Sequence, residues 1–274
     1  MKKHRIQTIL LNVFFMILVL IIVLPVAWMI MNSFKTNLEL LTDSLSWPKK
    51  LYLDNFVTAW NKGLYKYFGN SLIVSITSLV FILGFSSLLA YGITRFKTRY
   101  GTIVFLITLG GMALSEQVAL VPLYRILKSV KLYNTYLAVI LPYIAFRIPF
   151  TVFLMRSYFL QIPKELEEAA VIDGYNSLQI FMKIILPISK PIFASCTIVN
   201  LNFVWNEFLF ANIFLESKAL MTIPIGLMTF KGDMRSDYAV MLAGITIASA
   251  PLIILFLCMQ KQFVKGLTAG AVKG

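Results

Sequence analysis

This sequence predicts an all-α integral membrane protein built on six transmembrane helices. Three observations carry that reading. The composition is 59% apolar and the mean hydropathy is +0.81, well above an ordinary soluble domain. Six runs approach the roughly 20 apolar residues that a helix needs to cross a bilayer; they lie near 9–31, 70–91, 101–124, 135–156, 191–213 and 239–262. One strongly polar interruption, 158–190, divides the apolar second half. The whole of 1–274 reads as a single transmembrane domain, with that loop and a tail at 263–274 as its extramembrane parts.

Lys2, Lys3, His4 and Arg5 open the chain ahead of the first run. A signal peptide starts the same way, but this run is too long for its apolar region and lacks a small-residue cleavage site. It reads as an uncleaved first helix with a cytoplasmic N-terminus. Residues 32–69 are polar and dotted with Trp47, Tyr52, Trp60, Tyr65 and Tyr67, which suits a segment lying at the headgroups. The second span ends at the basic turn Arg95-Phe96-Lys97-Thr98-Arg99. Within the third lie Gly110-Gly111 and the polar Ser115-Glu116-Gln117; within the fourth, Pro142, Arg147 and Pro149. The fifth holds Asn200, Asn202 and Trp205-Asn206-Glu207-Phe208, and the sixth Gly244 and Pro251. Gly and Pro inside a span are tolerated where helices pack closely or line a cavity.

The interruption reads as a short helix, a break and a second short helix. Pro163 suits a helix start, and the acids at Glu165, Glu167 and Glu168 suit the positive end of its dipole. Gly174 is the natural stop, because glycine takes the left-handed conformation freely. Asn176 offers a new N-cap with Gln179 three residues on, and Pro187 is expected to end the second helix. Ala169 and Ala170 are small enough for a partner surface to approach the backbone. Such a hairpin between two spans reads as a docking element.

The net charge of +13 would suit nucleic acid, but the 25 Lys and Arg are scattered through short loops without a basic stripe, so no nucleic-acid partner is expected. Cys196 and Cys258 lie in apolar runs without metal-type spacing and read as small hydrophobes. No Gly-x-x-x-x-Gly-Lys-Ser/Thr occurs, so any ATP must be hydrolysed on another subunit. His4 is the one histidine, so no Ser/His/Asp constellation is available, and no catalytic or metal site is expected. A secondary transporter would rely on intramembrane ionisable groups, for which Glu116, Arg147 and Glu207 are the candidates. An intramembrane enzyme lacks catalytic groups.

A family resemblance rests on the loop. Glu168-Ala169-Ala170, then Gly174, Ile184 and Leu186-Pro187 at fixed spacing, resembles the EAA loop of ATP-binding-cassette importer permeases. Asn70-Ser71-Leu72, Tyr91-Gly92 with Arg95, Ile162-Pro163, Ile172-Asp173-Gly174, Trp205-Asn206-Glu207-Phe208 and the Gly-rich end from Gly266 to Gly274 widen it over essentially the whole chain. Together they are similar to the maltose-type carbohydrate importer permeases, specifically the shorter subunit of the pair. Leu114-Ser115-Glu116-Gln117 departs from that pattern, which carries proline there, and Arg147 is an unusual choice.

The resemblance implies the type I importer fold in a bacterial plasma (inner) membrane, with both termini cytoplasmic. Lys and Arg divide too evenly between the two sides to orient the chain alone. It implies a cytoplasmic coupling helix in which Glu168, Ala169, Ala170, Asp173 and Gly174 meet an ATPase cleft. The tail, through Gly266, Gly270 and Lys273, is expected to reach the same ATPase. The implied partners are a homologous second permease, two ATP-binding subunits, an extracellular solute-binding protein, the lipid bilayer and a carbohydrate substrate. No cofactor is expected on this chain; ATP and magnesium belong to the partner ATPase. Sugar recognition wants amide and carboxyl groups beside aromatic faces. Glu116, Gln117, Asn202, Trp205, Asn206 and Glu207 supply that chemistry, and the same residues suit a gate or a subunit contact.

Overall fold

A computed structural model describes residues 2–96, 100–230 and 237–271 of the chain, with side chains from residue 7 to residue 263 within them. The described backbone is all-helical. In chain order the helices are α1 (Lys2–Ser33), α2 (Asn37–Thr42), α3 (Asp54–Ala59), α4 (Tyr65–Arg95), α5 (Gly101–Gly110), α6 (Glu116–Ser129) and α7 (Leu137–Phe159). There follow α8 (Glu165–Ile172), α9 (Ser177–Ile180), α10 (Leu186–Ile188), α11 (Lys190–Asn206), α12 (Leu209–Phe214), α13 (Ile223–Met228) and α14 (Tyr238–Ala271).

Four helical runs are long and apolar enough to cross a bilayer by themselves: Gln7–Ser33, Asp54–Arg95, Leu137–Phe159 and Tyr238–Phe263. Two more qualify only as bent pairs. Gly101–Ala113 meets Glu116–Ser129 at 98°, and Ser177–Ile188 meets Lys190–Asn206 at 76°. The sequence predicts a third span over 101–124, and in the structure this run is two helices with a break between them. Leu114 is extended (ψ 120) and Ser115 starts α6 afresh, so the apolar run is continuous in composition and broken in direction. The fifth span is likewise shorter than expected: α11 stops at Asn206, and α12 is a separate helix.

The chain divides into two compact units. Residues 1–65 and 226–250 form one. Here α1 is apolar on every side and none of its spanning window is buried, the state of a helix whose cover is lipid or another chain. The loop after α1 is pinned by polar bonds. Asn55 Nδ2 donates to the carbonyls of Ser33 and Lys35, Lys35 Nζ donates to the carbonyl of Asp43 at 2.9 Å, and Thr36 caps α2. Lys35 is fully buried yet keeps its head on a carbonyl.

Residues 66–225 and 251–274 form the second unit, which has two apolar clusters. The first gathers Val74, Ile82, Val139, Ile140, Phe210 and Phe214. The second gathers Tyr91, Val152, Met155, Phe159, Ala170 and Phe181 around the polar loop. Buried serines 71, 75, 78, 86 and 87 along α4 let neighbouring helices approach its backbone. Asn70 explains its own place at the head of the second span. Its Nδ2 donates to the carbonyls of Ala219 and Met221, and its Oδ1 accepts from the Tyr136 hydroxyl.

Candidate functional site

The polar loop folds as the residue types dictate. α8 begins with three acids in its first turn. It closes with Gly174 at φ +84, whose N–H reaches the carbonyl of Val171 while the Tyr175 N–H reaches that of Ala170. These two bonds form a Schellman motif, which satisfies carbonyls that a helix end leaves unpaired. Asn176 then caps α9. Its Oδ1 accepts from the Gln179 N–H, and Gln179 Oε1 accepts from the Asn176 N–H, both at 2.9 Å. Pro187 does not end the second helix as expected. A π turn over Phe181–Ile185 precedes it, α10 carries it in its first turn, and the chain bends only at Ser189. The proline lies just past the widened turn, where the missing N–H is absorbed.

The two faces of α8 differ. Ala170 is 3% exposed and packs into the second cluster, and Glu167 turns inward beside it. Glu165, Glu168, Ala169 and Ile172 occupy the opposite face and are exposed, Ile172 at 87%. Asp173 and Gly174 are exposed as well. Of the five expected coupling residues, four are open to a partner and Ala170 holds the helix to its own chain. Glu167 forms an ion pair with Arg95 at the end of α4. Burial raises the Glu167 carboxyl above its ordinary range, against the opposing pull of Arg95, the Tyr91 hydroxyl and Lys164.

The other expected residues scatter over several environments. Glu207 is 8% exposed and its carboxyl accepts from the Tyr143 hydroxyl and from the N–H groups of Phe210 and Ala211. It caps the start of α12. Trp205 is buried with its ring edge-on to Phe68 at 5.6 Å. Asn206 is exposed and donates back to Asn202. Gln117 is exposed and accepts from Ser115, and half-buried Glu116 lies within charge reach of Glu207 and Arg147. Gly266 and Gly270 lie on the α14 backbone, whereas Lys273 falls outside the described residues.

The contacts that these residues make escape sequence reasoning more than the residues do. Arg147 Nε donates to Asn200 Oδ1 at 3.0 Å, its guanidinium lies over the ring of Phe203 at 4.5 Å, and Asn200 donates to Thr151. Tyr143, the partner of Glu207, has no local signal beyond being a phenol in an apolar run. The Arg95–Glu167 pair joins residues far apart in the chain, so no spacing rule reaches it.

Comparison with known proteins adds the following. Residues 4–269 match the family model described as "Binding-protein-dependent transport system inner membrane component". The chain is 48% identical over 262 residues to the probable ABC transporter permease protein YurM of Bacillus subtilis (strain 168), covering 96% of this chain and 87% of that protein. It is 35% identical to the arabinooligosaccharides transport system permease protein AraQ of the same organism, over 99% and 98% of the two chains. To the probable starch degradation products transport system permease protein AmyC of Thermoanaerobacterium thermosulfurigenes it is 32% identical over both full lengths. A chain in the crystal structure of a bacterial ABC transporter importing alginate superposes with a TM-score of 0.84 at 22% identity, covering 96% of this chain and 98% of that one. At that identity the likeness concerns the fold.

Proposed function

The chain belongs to the family of binding-protein-dependent transport system inner membrane components, and from that membership we propose that it is the permease subunit of an ATP-binding-cassette importer carrying a carbohydrate, whether oligosaccharide, sugar or polyol, into the cytoplasm. Relatives named for arabinooligosaccharide and starch-product transport support the substrate class. The observation that carries the mechanism is α8, a capped helix outside the spans with Glu168, Ala169 and Ile172 outward. An apolar residue as bare as Ile172 between small and acidic neighbours suits a protein partner's cleft.

In this reading α8 lies in the cytoplasm and seats in an ATP-binding subunit, which places both termini of the chain on the same side. A second, homologous permease covers α1 and completes the pathway, and a solute-binding protein delivers the sugar from outside. Closure of two ATPase subunits on ATP pulls α8, and the second apolar cluster carries the displacement into α4, α7 and α11. Access then alternates between the two faces. ATP and magnesium stay on the ATPase, since this chain has no phosphate-cradling motif.

Ala169→Asp tests the docking. It adds bulk and a charge that would be desolvated at the contact, at a cost on the order of several kcal/mol if unpaired. The permease should insert normally, lose the ATPase during co-purification in detergent, and lose transport. Ala170→Asp should instead lower the amount of folded permease, because that side chain enters the core. An Ala169→Asp permease that keeps its ATPase and transports would refute the docking.

A further inference from the structure

Where the end of α4 meets the loop, several polar groups converge that docking alone leaves without a role. Arg95 is the last residue of α4, and its side chain is 6% exposed. Its Nε lies 2.5 Å from Oε1 of Glu167, and its Nη2 donates at 2.9 Å to the carbonyl of Ile162. One guanidinium thus grips both the approach to α8 and its first turn. One turn earlier on α4, the ring of Tyr91 lies 5.1 Å from that of Phe181 in the π turn. The end of α4 is therefore fastened to the loop on both sides of Gly174.

These attachments differ in kind from the apolar packing around Ala170. Apolar contacts are non-directional and allow one surface to slide on another. The bond from Arg95 Nη2 to the Ile162 carbonyl is directional, and the charge pair with Glu167 holds the first turn of α8 at short range. Breaking one side of a largely buried pair leaves an uncompensated charge, so the arrangement resists rotation of α8 about its own axis. α4 in turn is bound at its opposite end, through Asn70 and Ser71, to the segment around Ala219–Ile223. A displacement of α8 delivered to Arg95 is thereby delivered to both ends of a helix that crosses the membrane.

We propose that Arg95 is a positioning residue for coupling: with Glu167 it ties the docking helix to α4, so that movement imposed by the ATPase reaches the pathway as a rigid displacement. The proposal rests on the docking reading, and the two are tested separately. Ala169 lies on the face of α8 turned away from Arg95, so Ala169→Asp reports on docking alone.

The experiment uses the assembled transporter, both permeases with their ATPase and binding protein, reconstituted in liposomes. Uptake of radiolabelled arabinotriose, raffinose or maltotriose, whichever the wild type carries, is measured together with ATP hydrolysis in the same vesicles. Arg95→Glu and Glu167→Arg should each lower uptake about tenfold or more through loss of the buried pair. The ATPase should stay bound and hydrolysis persist, so ATP consumed per sugar rises. The charge swap carrying both changes should recover uptake to within about threefold of wild type, since it restores opposite charges at one contact. Arg95→Lys keeps the charge and loses the second donor to Ile162, and should fall in between. Single variants with a wild-type ratio of ATP to sugar would overturn the proposal. So would a swap no better than the single changes, and so would single variants that lose their ATPase while the remainder transports with the normal ratio, since the pair would then serve only to fold the loop.

Discussion

Glu207 offers the sharpest perturbation of the membrane-depth polar groups. Its carboxyl accepts from three donors: the hydroxyl of fully buried Tyr143 and the N–H groups of Phe210 and Ala211. Glu207→Ala strands all three. A buried donor left unmade costs about 1–3 kcal/mol. The sum is reduced because the Tyr143 hydroxyl can rotate and the 3.2 Å bond to Ala211 is the weakest of the set, so a net loss of about 3–5 kcal/mol is expected. Glu207→Gln keeps an oxygen for Phe210 and turns an amide N–H toward the Tyr143 oxygen, at a cost of about 1 kcal/mol. Tyr143→Phe removes one donor and leaves the cap of α12 in place, at a similar cost. Thermal melting of the detergent-solubilised permease, followed by size-exclusion fluorescence, should rank Gln and Phe just below wild type and Ala well below both. An Ala variant that melts with the wild type would refute the capping role, and so would a Gln variant as unstable as Ala.

Two further outcomes are open to direct measurement. Reporter fusions placed after Gly174 and after Ser217 should report opposite sides of the membrane; agreement between them would overturn the six-span topology. Replacing Arg95 by Gln removes the largest charge opposing burial at Glu167, leaving Tyr91 and Lys164, so the carboxyl should rise further. A carboxyl whose folded pKa exceeds its unfolded one holds more protons in the folded state across that interval, so stability falls as pH rises through it. The melting temperature of Arg95→Gln should therefore drop more steeply than that of the wild type as pH rises above the ordinary glutamate value of about 4.3; parallel curves would sink this account.

Local chemistry was the most readable part of the chain. The Gly174 stop and the Asn176 cap with Gln179 follow from backbone requirements satisfied within a few residues, and both form as expected. Direction was not readable. Hydropathy counts apolar residues without regard to where the backbone turns, so the third run looks like one span although Gly110-Gly111 and Ser115 stand at its break. Neighbouring acids show a second limit. Glu167 and Glu168 are equivalent in composition, yet one step of about 100° around a helix sends the first to Arg95 and the second to solvent. Ala169 and Ala170 look alike in the sequence although only Ala170 is buried, and Arg95 as the partner of Glu167 was not readable, because long-range pairing leaves no periodic trace. Glu207 reads as a pathway or gate candidate from its depth; the structure gives it a cap.

The 98° turn in the third span has a consequence for the bilayer itself. Gly101–Ala113 rises only about 20 Å at helical pitch, short of the roughly 30 Å of hydrocarbon, before the chain turns aside. Leu114 and Ser115, extended and exposed on this chain, interrupt the backbone hydrogen-bond ladder within the apolar run. Hydrocarbon cannot solvate such a gap, which must meet either another protein surface or water. Gly111 packs close to the Pro149 ring just before the turn, because a methyl group added there would meet that ring at 3.0 Å. This stretch of the chain is thus a half-length helix whose exposed end needs protein or water for its cover.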